Sequence, residues 1–396
     1  MMSALPLVRM KEGRERRLKA GHPWAYANEI EMDADARALP PGTLTRIARG
    51  DGTALGVGFF NPHPLIAFRL ISREPDSDVG AALFARRLRR ALDVRERLYR
   101  VPHYRLIHAE ADGFPGLVVD RFGDTAVLQI NTAGIELLTD DLLQALDEVL
   151  CPRTVVLRND STVRRLEALD TYVRIVKGNV NGLTEVLENG CVFFADVVSG
   201  QKTGWFFDQR DNRAFIAALA RGKRMADFYC FSGGFGVAAA AAGAASVRAY
   251  DRSQPALDLA CQAAEANRVG ERCRFERGNA FHTMHRLADG GEVFDAVVVD
   301  PPAFVKTRKD VYSGMRGYRK LARLAAGLVA PGGILLVASC SHHVDLASFS
   351  EQVRRGLADA GRGGRVLRTA GAAPDHPVHP FLPESAYLKA QVLQLD

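Results

Sequence analysis

Polar and glycine-rich residues follow four successive apolar runs in the second half of the chain. If each run is a strand of one parallel sheet, these residues meet at one edge, where such sheets bind ligands. Glycines let the backbone approach a ligand closely, and a helix N-terminus adds N–H donors. A carboxylate can accept both ribose hydroxyls, and an amide can hydrogen-bond the edge of adenine. The candidate contacts of such a nucleoside ligand are Asp227, Phe228, Cys230, Ser232, Gly233, Gly234, Asp251, Asn279 and Asp300.

The glycine-rich turn alone would also fit an oxidoreductase that binds a dinucleotide. Here the turn lacks the G-x-G-x-x-G spacing, and no pyrophosphate cradle is apparent. In combination with the segment Asp300–Phe304 (Asp-Pro-Pro-Ala-Phe), the turn favours a pocket for S-adenosylmethionine. We therefore expect a methyltransferase that uses this cofactor, and no metal site.

Cys340 follows a fifth apolar run and introduces a different chemistry. Methylation of an exocyclic amine needs no thiol, whereas C5 of a pyrimidine becomes nucleophilic only after a thiolate adds at C6. An ordinary cysteine has a pKa of about 8.5, so the site should favour the anion. The alternative is that Cys340 is a small apolar residue that fills the core. Cys340 and Asp300 are the candidate catalytic residues, with Asp300 binding the N3/N4 edge of cytosine.

The residues after Asp300 could bind the nucleic acid. Phe304 could stack on an extruded base, and Lys306 and Arg308 begin a basic stretch that ends at Lys320. Side chains of this type contact phosphates in RNA complexes. The alternative is an amphipathic helix whose basic face is simply solvated.

The surrounding pattern predicts three domains. Short alternating strands in residues 1–75 predict a small β-barrel. Residues 76–183 predict a mixed α+β domain with helices at Ala82–Tyr99 and Ile135–Val149. Residues 184–396 alternate strands and helices, which predicts an α/β, doubly wound Rossmann-like sheet. The last strand follows a Pro-rich loop too irregular for a crossover helix, so we expect it to be antiparallel.

Composition and charge indicate the compartment in which the protein works and the kind of partner it binds. No apolar run is long enough to span a membrane, the first residues lack the core of a signal peptide, and six scattered cysteines without C-x-x-C favour a reducing cytoplasm. The net charge of +6 arises in residues 1–110, which hold 19 Lys/Arg and 13 Asp/Glu; the rest cancels. That excess predicts a phosphate-binding surface, although a solvated helix face would show the same excess.

The chain resembles the bacterial 23S ribosomal RNA cytosine-C5 methyltransferases that have an N-terminal PUA domain. The resemblance covers essentially the whole chain and rests on motifs in order: Gly21–Trp24 with Asn28–Ile30, Asp112–Leu117 with Val119–Arg121, Gly200–Gly204, Phe207–Arg210, Phe231–Phe235, Asp300–Phe304, Ser339–His343, Asp375–Pro377 and Tyr387–Lys389.

The resemblance implies that Cys340 is the nucleophile, that the PUA barrel helps to hold ribosomal RNA, and that Gln209 and Arg210 belong to the cofactor pocket. Many related enzymes have a second cysteine in the motif after strand four. Here Pro302 and Ala303 stand there, so another group must remove the C5 proton. Monomer and homodimer both stay open. Two other functions also stay open: methylation of guanine N2 or adenine N6, and a non-catalytic RNA-binding assembly factor.

Overall fold

The chain was analysed as a computed structural model that describes residues 5–200 and 203–396. The start of the predicted barrel (residues 1–4) and the motif residues Gln201 and Lys202 lie outside that description. The described residues form two compact units. The first comprises the described residues within 5–184, 196–200, 203–205 and 375–383, and the second comprises 185–195, 206–374 and 384–396.

The first unit begins with the predicted β-barrel. Its strands are β1 Leu7–Arg9, β2 Trp24–Tyr26, β3 Thr43–Ala48, β4 Ala54–Phe60 and β5 Ile66–Ser72. They are ordered β1-β3-β4-β5-β2, and a bridge between Met10 and Ile30 joins the two ends. Short helices α1 (Arg16–Ala20) and α2 (Ala34–Ala38) cover the barrel. Alternate side chains such as Ile47 and Phe68 fill its core, so the predicted barrel is confirmed.

A second five-stranded sheet completes the first unit. Its strands are β6 His103–His108, β7 Leu117–Phe122, β8 Thr125–Ile130, β9 Thr154–Asn159 and β10 Tyr172–Lys177, in the order β10-β9-β8-β7-β6. Helix α3 (Ala81–Leu98) packs Phe84 and Leu88 into the core and matches the predicted helix within one residue at each end. The predicted helix Ile135–Val149 is wrong as a single element. It is two helices, α4 (Ala133–Leu137) and α5 (Thr139–Leu150), because Leu138 leaves the helical conformation.

Buried carboxylates of the first unit lie against arginines. Asp112 accepts two hydrogen bonds of 2.7 Å from Arg95, and Asp120 accepts two from Arg105 at 2.9 and 2.8 Å. Asp375, from the segment that returns late in the chain, accepts the backbone N–H of Arg105 at 3.0 Å. These contacts attach residues 375–383 to the second sheet of this unit.

The second unit contains the seven-stranded sheet expected from the alternating pattern. Its strands are β13 Arg224–Phe228, β14 Ser246–Asp251, β15 Cys273–Arg277, β16 Phe294–Val299, β17 Val329–Ser339, β18 Gly364–Ala370 and β19 Lys389–Leu395. The order is β15-β14-β13-β16-β17-β19-β18. The first five are parallel, and β19 lies antiparallel between β17 and β18. The doubly wound sheet and its antiparallel last strand are confirmed.

Helices cover both faces of this sheet: α6 Arg210–Leu219, α7 Gly234–Ala241, α8 Gln254–Ala266, α9 Ala280–Asp289, α10 Val311–Gly327 and α11 Leu346–Asp359. Two strands precede it that the sequence pattern did not predict, β11 Thr184–Glu188 and β12 Cys191–Ala195, and they form a two-stranded sheet with each other. Across residues 5–200 and 203–396, no helix is both long enough and apolar enough to cross a membrane.

Candidate active site

The glycine-rich turn links β13 to α7 through three residues with positive φ. Tyr229, Phe231 and Gly233 have φ values of 63°, 49° and 80°. A Cβ on Gly233 would lie 2.9 Å from the Cβ of Ala260, so only glycine fits there. This tight turn leads directly into the N-terminus of α7 at Gly234, where the first N–H groups of a helix lack partners within the helix.

Asp227 is the next-to-last residue of β13, before this turn, and is buried. Its Oδ2 accepts the N–H of Gly236 at 3.0 Å. Burial, with smaller contributions from Asp300 and Asp251, raises the pKa of Asp227 to about 8. Within residues 5–200 and 203–396, neither Asp227 Oδ1 nor the hydroxyl of Ser232 has a hydrogen-bond partner. Two unsatisfied buried polar atoms and clustered carboxylates fit a cationic ligand that donates hydrogen bonds, as the amino group of S-adenosylmethionine does.

Asp251 ends β14, and Asn279 follows the end of β15 by two residues, as expected. The Asp251 carboxylate accepts the N–H of Phe231 at 3.0 Å and that of Ser253 at 2.9 Å, and these bonds fix its orientation. Carboxylate oxygens can accept further bonds, so contacts to ribose hydroxyls remain available. The Asn279 side chain is the N-cap of α9 and accepts the N–H of His282 at 3.3 Å. Its exposed amide N–H groups could still reach a base.

Three of the predicted cofactor contacts have side chains with structural roles. Phe228 lies in the core and stacks on Tyr250, with ring centroids 5.1 Å apart. Cys230 is buried, and burial raises the pKa of its thiol. Arg210 is buried 3.5 Å from Glu188. Cofactor contacts from Phe228 and Cys230 would therefore be made by the backbone. The assignment of all three to the pocket remains a prediction.

Gln209 lies beside Asp300, one of the two candidate catalytic residues. Its side-chain amide donates to Asp300 Oδ2 at 2.9 Å and accepts from Asn212 at 2.7 Å. This chain of amides holds the Asp300 carboxylate at the end of β16. The sequence grouped Gln209 with the cofactor contacts, whereas the structure gives it a direct contact with Asp300. Asn212 was not identified from the sequence, because an asparagine on a helix gives no motif.

Cys340 directly follows β17 and is partly exposed. Its Sγ lies 4.0 Å from the carbonyl oxygen of Pro301, the residue after Asp300. The fourth and fifth strands of the predicted sheet, β16 and β17, are neighbours as expected, and this places the thiol beside the Asp-Pro-Pro-Ala-Phe segment. The alternative that Cys340 only fills the core does not account for this partly exposed position.

A buried tyrosine fixes the thiol relative to that segment. The Tyr318 hydroxyl lies 2.8 Å from the hydroxyls of both Ser339 and Ser341, the residues that flank Cys340. It also accepts the N–H of Phe304 at 3.4 Å. Tyr318 lies in the basic stretch of the sequence, but only the fold reveals this role.

Lys389 is a second residue whose role the sequence did not reveal. Its buried Nζ donates to the carbonyl oxygens of Ser341 at 2.6 Å and Tyr387 at 2.7 Å. Burial lowers the pKa of Lys389 to about 8, although Cys340 and Asp345 oppose the shift. The motif Tyr387–Lys389 contributed to the family resemblance, but no chemistry could be assigned to it without the pairing of β17 with β19.

The candidate RNA contacts differ in their environments. The Phe304 ring is half-buried and packs against Tyr318 at 4.8 Å between centroids. Lys306 and Arg308 are exposed, whereas two other basic residues of the stretch have protein contacts. Arg319 forms an ion pair with Asp359 at 2.6 Å, and Lys320 lies 5.2 Å from the ring of Phe281. The stretch is therefore not uniformly free to bind phosphates.

Comparison with known proteins decides the family. Residues 159–356 match the family of S-adenosylmethionine-dependent methyltransferases, and residues 8–73 match a PUA-like domain. The chain is 35% identical to ribosomal RNA large subunit methyltransferase I of Aeromonas hydrophila over 98% of both chains. It is 34% identical to the protein of that name from Shewanella denitrificans, over 98% of this chain and 99% of the relative. This chain belongs to the ribosomal RNA large subunit methyltransferase I family.

Solved structures show the same fold at lower identity. One is a methyltransferase complexed with SAH, with a TM-score of 0.85 and 19% identity over 98% of this chain and 100% of that one. A second, a SAM-dependent methyltransferase from Streptococcus mutans, has a TM-score of 0.83 and 19% identity with the same coverage. Family membership makes S-adenosylmethionine the cofactor of this chain, and the buried acceptors near Asp227 suit its cationic methionine end.

Proposed function

We propose that this chain methylates C5 of a cytosine in 23S ribosomal RNA through a covalent adduct of Cys340. The main support is that the partly exposed sulfur lies 4.0 Å from the Pro301 carbonyl, beside Asp300. A nucleophile for C6 and a hydrogen-bonding carboxylate for the base edge are therefore neighbours. Bound S-adenosylmethionine supplies an electrophilic methyl group on a sulfonium centre.

The protein side of the reaction follows from these positions. The Cys340 thiolate forms a bond to C6 of cytosine, and the electron pair of the C5–C6 bond moves to C5. Asp300, held by Gln209 at 2.9 Å, binds the N3/N4 edge. After C5 has gained the methyl group, it loses its proton to a base, and the C6–S bond breaks with the electron pair returning to sulfur.

The RNA substrate is inferred from the relatives and from charge. Relatives that align with 98% of this chain are named as large-subunit ribosomal RNA methyltransferases. The chain also has a PUA-like domain and a net excess of +6 in its first 110 residues. Basic residues such as Arg86 and Arg90 are exposed on α3, where phosphates could reach them.

Replacing Cys340 by Ala tests the proposal. Wild type and Cys340→Ala are incubated with S-adenosylmethionine and large-subunit RNA from cells that lack the enzyme, and the methylated nucleosides are identified by mass spectrometry. Cys261→Ala, at an exposed cysteine on α8, is the matched control. We expect 5-methylcytosine with wild type and the control, and none with Cys340→Ala.

The runner-up function is methylation of guanine N2 or adenine N6, favoured by the Asp-Pro-Pro-Ala-Phe segment and the half-buried Phe304 ring. The same experiment separates the two functions. A methylated exocyclic amine as the product, formed equally well by Cys340→Ala, would replace the cytosine proposal. A protein that binds RNA but no S-adenosylmethionine would instead support the assembly-factor alternative.

A further inference from the structure

The amine of Lys389 is a buried titratable group that the reaction above leaves without a role. In the antiparallel pairing of β17 with β19, Lys389 lies opposite Ser339, the residue before Cys340. From there its side chain reaches past the cysteine to the carbonyl of Ser341 at 2.6 Å. The amine and the thiol are close enough to interact electrostatically. The two groups thus occupy neighbouring strand ends in the same unit.

The two recorded hydrogen bonds of the amine leave one of its positions unassigned. A neutral amine has two N–H donors and one lone pair, and an ammonium has three donors. The carbonyls of Ser341 and Tyr387 take two donors. The third position of Lys389 is then a lone pair in the neutral form and an N–H in the charged form. A lone pair accepts a proton from a thiol, and the resulting N–H pairs with a thiolate.

We propose that Lys389 accepts the proton of the Cys340 thiol and then stabilises the thiolate as its ion-pair partner. The S–H bond breaks, its electron pair stays on sulfur, and the proton forms the third N–H bond of the ammonium. The transfer conserves net charge, so it needs no other reactant. The inference rests on the proposed role of Cys340 as nucleophile, and it answers how a thiol that is mostly protonated at neutral pH becomes reactive.

Several charged or titratable groups surround this pair and set the balance between its two forms. Asp345 at the start of α11 favours the ammonium, whereas burial favours the amine. Tyr318 of α10 interacts electrostatically with Cys340, and burial raises the pKa of this tyrosine, so it stays neutral. Further titratable groups are Asp300, which precedes the Pro301 carbonyl near Cys340, and, in the segment after Cys340, His342 and His343. Because burial lowers the pKa of Lys389 to about 8, both of its forms exist near neutral pH.

Alkylation of Cys340 in the complete protein without RNA tests the pair. Iodoacetamide reacts with thiolates, and peptide mass spectrometry separates Cys340 from the exposed Cys151 and Cys261. Lys389→Gln keeps two N–H donors for the two carbonyls but cannot accept a proton. We expect this variant to alkylate Cys340 about ten-fold more slowly at pH 7.5 and to need about one pH unit more for half-maximal rate. Lys223→Gln, at an exposed lysine of the same unit, is the control.

The outcomes distinguish this inference from the proposed function. An unchanged pH profile in a Lys389→Gln protein that melts like wild type and binds S-adenosylmethionine would overturn the role of Lys389. If Lys389→Gln does not fold, the same profile is measured with Lys389→Met. A second outcome combines two results: Lys389→Gln shifts the alkylation profile to higher pH as expected, but Cys340→Ala still forms 5-methylcytosine at the full rate. This would support the interaction between Lys389 and Cys340 and contradict the covalent mechanism.

Discussion

Acidic residues are stabilised differently in the core of the first unit and at the strand ends of the second unit. In the first unit, Asp112 and Asp120 are each bound by two N–H groups of an arginine, Arg95 or Arg105. At the strand ends of the second unit, Asp227 and Asp251 accept backbone N–H groups instead. Arginine neutralises a buried carboxylate, whereas a backbone amide leaves its charge largely uncompensated.

The difference indicates what each set of carboxylates does. The arginine pairs of the first unit join α3, the second sheet and the returning segment at Asp375, so their role is structural. In the second unit, burial raises the pKa of Asp227 to about 8, with smaller contributions from Asp300 and Asp251, and a bound cation would stabilise its carboxylate form. A carboxyl group without an arginine partner can bind a cationic cofactor, whereas a carboxylate paired with arginine stabilises the fold.

Breaking an arginine pair should have the largest effect. Arg95→Met leaves Asp112 buried without its guanidinium and should lower the free energy of unfolding by about 3–5 kcal/mol. Arg97→Met, two residues away on the same helix, removes an exposed pair with Asp93 and should cost about 0.3–0.5 kcal/mol. Urea unfolding of both variants measures the two values. Equal losses would show that the burial of Arg95 has no energetic importance.

The glycine turn of the second unit should be the next most sensitive feature. Gly233→Ala combines a left-handed φ with a Cβ 2.9 Å from Ala260, which together should cost about 2–4 kcal/mol and abolish cofactor binding. Gly222→Ala has a similar φ of 70° but open space around the Cβ, so it should cost about 1–2 kcal/mol and leave binding intact. Thermal melting and calorimetric titration with S-adenosylmethionine provide both readouts. Normal binding by Gly233→Ala would place the cofactor elsewhere.

Replacing Asp227 by Asn should weaken cofactor binding by about 1.5–3 kcal/mol, the usual value of a hydrogen bond to a charged group, because an amide cannot become a carboxylate when the cationic cofactor binds. It should also change the pH dependence of stability. Because the folded-state pKa is raised from 3.8 to about 8, the fold binds this proton more tightly than the unfolded chain, and stability falls as pH rises across that window. Asp227→Asn should lose this part of the slope.

Titrations with S-adenosylmethionine and unfolding at pH 5 and pH 9 measure both effects. Asp258→Asn, at an exposed carboxylate on α8, is the control and should match wild type in both assays. An Asp227→Asn variant with unchanged affinity and an unchanged pH slope would contradict the contrast between the two units.

The smallest expected effect concerns RNA binding by α3. Arg87 donates to backbone carbonyls and Arg89 pairs with Glu148, which leaves Arg86 and Arg90 as the exposed candidates. Reversing both charges with Arg86→Glu and Arg90→Glu should reduce the salt dependence of RNA affinity by a slope of about 1–2, because each phosphate that a basic side chain neutralises contributes about one unit. A binding isotherm series between 50 and 200 mM salt measures the slope. An unchanged slope would show that Arg86 and Arg90 of α3 do not contact the RNA phosphates.

Local patterns predicted most of the fold. Strands with apolar residues at their centres, which end at Phe228, Asp251, Arg277 and Val299, alternate with helices along the sequence, so the sheet and its polar edge could be predicted from the sequence. The return of residues 375–383 to the first unit could not be predicted. Asp375 reaches Arg105 across 270 positions in the chain, and no periodicity records such a contact.

The candidate site was predicted where a motif coincided with a strand end, as at Asp300 and Cys340. The residues that support it were not, because their partners come from elements distant in sequence. Tyr318 contacts both serines around Cys340 from α10, and Lys389 reaches Ser341 through strand pairing. Side chains such as Phe228 also show a limit of motifs, since a residue can belong to a ligand-binding turn while its ring fills the core.

The covalent bond between Cys340 and a cytosine is the central claim, and trapping that bond tests it most directly. RNA in which cytidine is replaced by 5-fluorocytidine cannot lose a C5 proton, so an adduct formed during methyl transfer should persist. With S-adenosylmethionine present, we predict an RNA–protein complex that survives denaturation and maps to the Cys340 peptide by mass spectrometry. Cys340→Ala should form none, and Cys261→Ala should form as much as wild type. A complete absence of adduct while wild type still methylates unsubstituted RNA would contradict the account.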